Sequence, residues 1–264
     1  MEIKDTQALI IDMDGVLWRG HTFLPGVGTF FTYLRERSLP FILATNNSTA
    51  TPQGVADRLA QCDAEILLEQ VLTSSMATAS YLQTRLSPGA RIHPVGEPAV
   101  RDALRSAGFN LTDDTEDVDA VVVGFDRGIT WKKLTQAALA IQKGALFVGT
   151  NPDKSFPIEQ GQAPGNGAFV NLLEVTTRTQ PLIIGKPEPL LYKQAAGLLG
   201  IESGKILVVG DRLETDILGA QHAGMASVLM LTGVTSTEQA VASDIKPDWI
   251  LEDLHALIGA LQGA

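Results

Sequence analysis

Asp12 and Asp14 stand two residues apart in DMDGVLW (12–18), directly after the apolar run ALIID (8–12). In an extended segment that spacing sends both carboxylates to one side of the chain. Gly15 then permits a sharp turn and a close approach of backbone to a ligand. Two carboxylates at a strand end suit a hard cation with oxygen ligands. The same residues also suit a turn capped by Asp side chains. A second polar string, ATNNST (44–49), follows PFILAT (40–45). Thr45 offers a hydroxyl, and the next amides, of Asn46 and Asn47, can cradle an anion. Ser48, Thr49 and Thr51 ahead of Pro52 read equally well as a helix N-terminus. Lys186 follows PLIIG (181–185), where a lysine can face the same ligand, although a lone lysine is ordinarily a solvated charge. In GDRLETD (210–216), Asp211 ends the run KILVVG (205–210), and Asp216 lies in the first turn of the next helix. Capping by Asp211 or Thr215 is the alternative role there.

These residues need elements that carry them to one place. Apolar runs at 8–12, 40–45, 91–96, 120–125, 145–149, 181–185, 205–210 and 227–232 read as strands, and ILLEQVLTSS (66–75) passes from strand into helix. Helical patterns lie between them, at 26–37, from about Pro52, to about Leu86, and at 97–107, 131–143, 187–199 and 214–223. Strands alternating with helices predict an α/β fold with a mainly parallel sheet. Strands that are apolar throughout fit a sheet covered on both faces. Open α/β sheets bind ligands beyond the carboxyl ends of their strands, where the acidic and basic residues fall. LSPGA (86–90) and TTRTQP (176–181) punctuate the chain. The segment between them reads as an inserted domain at 87–179, with the core made from 1–86 and 180–264.

Composition narrows the function classes. The 264 residues carry a net charge of −10, which argues against a nucleic-acid partner, since that requires a basic face. An anionic small molecule remains compatible, because one metal ion and a few amides reverse the local sign. Cys62 is the only cysteine, so an internal disulfide and a thiolate metal site are both excluded. His21, His93, His222 and His255 lack ligand spacing, which disfavours a zinc hydrolase. There is no G-x-S-x-G and no P-loop. GNGAFV (165–170) begins like a dinucleotide fingerprint but lacks the third glycine and, on this reading, an upstream strand. The N-terminus has no apolar stretch of signal length and no run approaches a membrane span, so a cytoplasmic setting without a membrane partner is expected.

Strand, Asp-x-Asp; strand, Thr; strand, Lys; strand, Gly-Asp-x₄-Asp: that order resembles the haloacid dehalogenase (HAD) superfamily of phosphohydrolases. ATNNST, VVVGFDRGITWKKL, GTNPD, PGNGA and IGKPEP are similar to its NagD-like, p-nitrophenyl-phosphatase-like branch. The resemblance implies a Rossmann-like core with an inserted α/β cap and a Mg²⁺-dependent phosphatase of small phosphorylated metabolites. Asp12 would be the nucleophile and become an aspartyl-phosphate. Asp14 would be the acid and base. Asp12, the Asp14 backbone carbonyl and Asp211 would hold Mg²⁺. Gly15, Thr45, Asn46, Asn47 and Lys186 would meet the phosphoryl group, and Asp216 would orient Lys186 or a metal-bound water. In the cap, GTNPDKSFP (149–157) offers Asn151, Asp153 and Phe156 as candidate selectivity residues, unless the loop is an ordinary turn with Phe156 in the core. The resemblance also implies a homodimer through the cap. A phosphomutase of the same superfamily and a non-catalytic phosphometabolite sensor are the alternatives. A dehalogenase is disfavoured, because it would not need Asp14 or the acidic motif at 211–216.

Overall fold

The computed structural model describes residues 2–263. The chain enters strand β1 (Ala8–Ile11), all of it buried. A small hairpin follows, β2 (Trp18–Arg19) and β3 (Thr22–Phe23). Then come α1 (Val27–Glu36), β4 (Phe41–Thr45), α2 (Pro52–Leu59) and β5 (Val71–Thr73). The middle of the chain forms α3 (Ser74–Gln83), β6 (Arg91–Val95), α4 (Pro98–Ser106), β7 (Asn110–Leu111), β8 (Ala120–Val123) and α5 (Trp131–Gln142). It continues through β9 (Leu146–Gly149), β10 (Ser155–Ile158), β11 (Gly161–Pro164), α6 (Asn166–Thr177) and β12 (Leu182–Ile183). The last part adds α7 (Pro189–Leu199), β13 (Ile206–Gly210), a π-helical turn at Leu213–Ile217, α8 (Leu218–Ala223) and β14 (Ala226–Met230). It ends with α9 (Thr237–Ala242), β15 (Trp249–Leu251) and α10 (Leu254–Gln262).

Two compact units result. The first comprises the chain up to Thr45, Pro52–Leu72 and the chain from Lys186 onward; the second comprises Asn46–Thr51 and Thr73–Gly185. Helix α3 falls in the second unit because it packs on α4, and β12 does so because it pairs with β9. The inserted unit is therefore longer at both ends than residues 87–179.

In the first unit one six-stranded sheet runs in the order β15-β14-β13-β1-β4-β5. Strand β1 pairs in parallel with β13 on one side and β4 on the other. The chain thus leaves β1 in one direction through β4 and β5, and later fills the other side through β13, β14 and β15. That reversal beside β1 is the topological switch point at which open α/β sheets bind ligands. Leu9, Ile10, Ile11 and Leu207 are fully buried, each worth about 2 kcal/mol of transfer free energy. Helix α7 packs on β1 and β4, α8 packs on β14, and α1 packs on α10.

The second unit has its own parallel sheet, ordered β12-β9-β8-β6-β7, and an antiparallel hairpin of β10 and β11. Its core joins Val121, Val123, Ala137, Ile141, Phe147, Val170 and Leu173. A strand, β11, does precede GNGAFV, and α6 opens at Asn166 within it. That strand belongs to a two-stranded antiparallel hairpin, so the segment is still not the strand–turn–helix of a parallel dinucleotide-binding unit. The α/β class and the parallel sheets agree with the sequence pattern. Among the described residues, no helix is long and apolar enough to cross a membrane.

Candidate active site

All the acidic residues singled out in the first unit lie just past the carboxyl ends of β1 and β13. The β1 backbone carries on to Asp12, whose N–H donates to Val209 O at 2.8 Å. Met13 is buried and its carbonyl accepts from Val16, Leu17 and Trp18 N–H, closing a tight turn. Asp12 and Asp14 flank that buried residue, Asp12 half-buried and Asp14 exposed. Gly15 has φ +83°, and a Cβ there would stand 2.3 Å from Asp211 Oδ2. Gly233, beyond β14, is crowded even more closely by Asp211, where a Cβ would come within 1.9 Å. Both glycines let backbone press against one carboxylate.

Lys186 is 3% exposed and bridges two carboxylates: Nζ donates to Asp12 Oδ1 at 2.5 Å and to Asp216 Oδ1 at 2.7 Å. Nζ also donates to Ala44 O at 3.2 Å, which ties it to the end of β4. Burial alone lowers a lysine pKa, but the Asp12 and Asp216 carboxylates outweigh it and hold the ammonium well above its ordinary value. Asp216 owes its place to the π-helical turn, in which both Asp216 and Ile217 N–H return to Arg212 O. Its Oδ2 accepts from Asp211 N–H at 3.3 Å and Arg212 N–H at 3.1 Å. Both Asp216 oxygens are thus occupied by the protein. Tyr192 Oη, buried, donates to the Asp216 carbonyl.

Asp211 differs. Its Oδ2 accepts from Val234 N–H at 2.7 Å, while its Oδ1 is buried without a hydrogen-bond partner. Burial, then the neighbouring Asp216, raises its pKa to about 7. Asp12, Asp211 and Asp216 each present a carboxylate oxygen, and the three atoms lie within 4.8 Å of one another. A buried acceptor left unpaired is costly. One beside two further carboxylates fits a bound cation. Asp14 is exposed, and its Oδ1 accepts from Trp18 Nε1 at 2.9 Å.

The first unit thus gathers Asp12, Asp14, Gly15, Lys186, Asp211 and Asp216, with Thr45 buried at the end of β4. The other named residues belong to the second unit. Asn46 is buried and its Nδ2 donates to Asp153 Oδ1 at 3.3 Å. Asn47 is exposed, and its Oδ1 accepts from both the N–H and the hydroxyl of Thr49. Asn151 is buried; its Nδ2 donates to Asn46 O and Thr150 Oγ1, and its Oδ1 accepts from Asp153 N–H. Phe156 pairs with Ala163 through the backbone of β10, and its side chain lies outside the described residues. Trp18, Gly233 and Tyr192 were not legible as site residues. Trp18 carried a signal in its four-residue spacing from Asp14, and Gly233 in its position just past a strand end.

The chain also matches known proteins. Residues 9–110 match the haloacid dehalogenase-like hydrolase family, and residues 183–257 match a HAD-hydrolase-like family. The chain is 37% identical to an acid sugar phosphatase of Staphylococcus epidermidis, over 98% of this chain and all of that protein. Its structure resembles a p-nitrophenyl phosphatase from Archaeoglobus fulgidus, at TM-score 0.92 and 31% identity, over 97% of this chain and all of that one. A glycerol phosphate phosphatase from Mycobacterium tuberculosis, in complex with magnesium, superposes at TM-score 0.89 and 36% identity, over 97% of this chain and 78% of that one. The chain belongs to the haloacid dehalogenase-like hydrolases, as a phosphatase of the NagD-like branch.

Proposed function

We propose that this protein hydrolyses small phosphate monoesters, of the sugar-phosphate and p-nitrophenyl-phosphate kind, through a phosphorylated Asp12 and with Mg²⁺ as cofactor. The observation that carries the reading is the contact of Lys186 with Asp12 beside the unpaired Asp211 oxygen. It pairs a nucleophilic carboxylate with a fixed cation on one flank and a cation-binding oxygen on the other.

Asp12, the Asp14 backbone carbonyl and Asp211 would hold the metal, with Asp216 kept on Lys186. Bound there, Mg²⁺ supplies positive charge that offsets the repulsion between carboxylate and phosphoryl group. The protein's own residues do the rest. An Asp12 oxygen forms a bond to phosphorus as the ester P–O bond breaks, and the leaving oxygen takes a proton from Asp14. Asp14 then accepts a proton from a water whose oxygen attacks phosphorus, and the bond to Asp12 breaks. The sum is ester plus water giving alcohol plus phosphate. Lys186, held charged by its two partners, stabilises the charge redistributed in both steps. The Thr45 hydroxyl and the Asn46 and Asn47 amides are the phosphoryl-oxygen donors. The second unit serves as the cap that selects the leaving group, through the loop bearing Asn151, Asp153 and Phe156.

The experiment is phosphate release from a panel of monoesters with Mg²⁺ and with EDTA, in the wild type and in Asp12→Asn. Turnover that needs Mg²⁺ and vanishes in Asp12→Asn is expected; full activity in either control contradicts the proposal.

A further inference from the structure

The side chain that must trade protons with substrate, Asp14, is exposed, so packing does not fix its rotamer. Trp18, four residues on, is 3% exposed and rigid in comparison. Its indole Nε1–H donates to Asp14 Oδ1 at 2.9 Å. The hairpin of β2 and β3 sets this up: Asp14 bridges Trp18, and Gly15 N–H donates to Trp18 O at 2.7 Å. Phe23, paired with Trp18 across the hairpin, meets the indole edge-on at 6.0 Å.

Arg58, reaching from α2, closes the assembly. Its Cζ lies 3.9 Å from the Trp18 ring centroid and 5.7 Å from that of Phe23. A guanidinium on the face of an indole is attracted by the ring quadrupole. Arg58 also donates to Gly20 O in the hairpin turn. The cation thus grips both strands of the hairpin that carries the indole.

We infer that Trp18, braced by Arg58, is the positioning residue for Asp14, fixing the carboxyl so that one defined oxygen serves the leaving group. An indole N–H only donates. Oδ1 therefore stays an acceptor when the carboxyl is protonated, and the proton to be delivered sits on Oδ2. Without the indole, the carboxyl rotates freely and samples the productive orientation less often. This inference rests on the reading of Asp14 as acid and base.

Leaving-group dependence tests it. An alkoxide needs protonation as it departs, whereas p-nitrophenolate leaves without it. Measure kcat/KM for glycerol 3-phosphate and for p-nitrophenyl phosphate in the wild type, Trp18→Phe, Arg58→Gln and Asp14→Asn. Trp18→Phe keeps a ring beneath Arg58 and removes the N–H. The alkyl-to-aryl ratio of kcat/KM is expected to fall by up to about tenfold in Trp18→Phe, the upper end of the worth of one hydrogen bond to an uncharged group. A smaller fall is expected in Arg58→Gln and a larger one in Asp14→Asn. Equal losses on both esters in Trp18→Phe would mean a general structural role and overturn the inference. Should Trp18→Phe fold poorly, Arg58→Gln carries the same comparison. A ratio that shifts in Asp14→Asn but in neither of the other variants overturns the inference alone. A ratio unmoved in Asp14→Asn removes the acid–base reading of Asp14, and the inference with it.

Discussion

Lys186 Nζ lies 2.5 Å from Asp12 Oδ1, a buried ion pair between residues 174 apart in sequence. The same ammonium meets a second carboxylate, Asp216, so one lysine serves two of the three clustered acids. Removing one partner of a buried pair leaves the other uncompensated, typically at a cost of about 3–5 kcal/mol. Lys186→Met is therefore expected to lower stability by about that amount in urea unfolding. Its kcat/KM should fall by at least about 10²-fold, since a fixed charge at the reacting group is lost. Near-native activity in a folded Lys186→Met would contradict the role.

Gly15 gives a second prediction. Its φ of +83° disfavours any L side chain, and an added Cβ would collide with Asp211 Oδ2 at 2.3 Å. Gly15→Ala is expected to cost about 1–2 kcal/mol in stability from the backbone alone. It should also weaken Mg²⁺ binding by about 10–100-fold through displacement of Asp211. Isothermal titration with Mg²⁺ separates the second effect from the first; unchanged affinity would count against Asp211 as a ligand.

As a ligand of the proposed metal, Asp211 would tie metal binding to pH. Burial and Asp216 raise its pKa to about 7 in the metal-free protein. A raised folded-state pKa favours the protonated group, and that contribution to stability is lost as pH rises through 7. Mg²⁺ must displace the proton below that point and meets a ready carboxylate above it. The rise in Tm produced by saturating Mg²⁺ is thus expected to grow between about pH 6 and pH 8. A rise independent of pH would contradict it.

In the second unit His93 acts with the opposite sign. It is buried in β6 with Nδ1 unpartnered, and burial lowers its pKa below the ordinary 6.5, against the opposing pull of Asp113. The unfolded chain therefore takes up this proton first as pH falls. Stability attributable to His93 is full above about pH 6.5 and declines as pH drops toward the folded value. His93→Gln is expected to flatten the fall in Tm between about pH 7 and pH 5.5. An unaltered slope would contradict this contribution.

How much of this was legible depended on element length and on distance along the chain. Strands β1, β4 and β13 are continuous apolar runs, so their ends, and with them Asp12, Thr45 and Asp211, could be placed from sequence. The two-residue strands β2 and β3 are far below the length at which alternation shows. They hold Trp18, so the partner of Asp14 stayed hidden. Strands β10 and β11 each contain a proline, which argues against a strand unless it lies at an edge, as both do here. Helix α6 opens on Asn166 and Gly167, carries Phe, Val and Thr among its twelve residues, and has no side-chain N-cap. Helix α9 and strand β15 are short, and β15 is an edge strand. The sequence around Asp216 fits a helix start, but the π-helical turn that turns its side chain to Lys186 has no signature in residue type or spacing. Arg58, in α2, gave no sign of a bond to the hairpin, since that contact is set by packing.

The most direct measurement is acid-quench trapping of the enzyme during turnover of a phosphate ester labelled at phosphorus, followed by peptide mapping. Label on the peptide containing Asp12 in the wild type, and none in Asp12→Asn, is the expected result. Steady phosphate release from Asp12→Asn, or label on a peptide lacking Asp12, would contradict it.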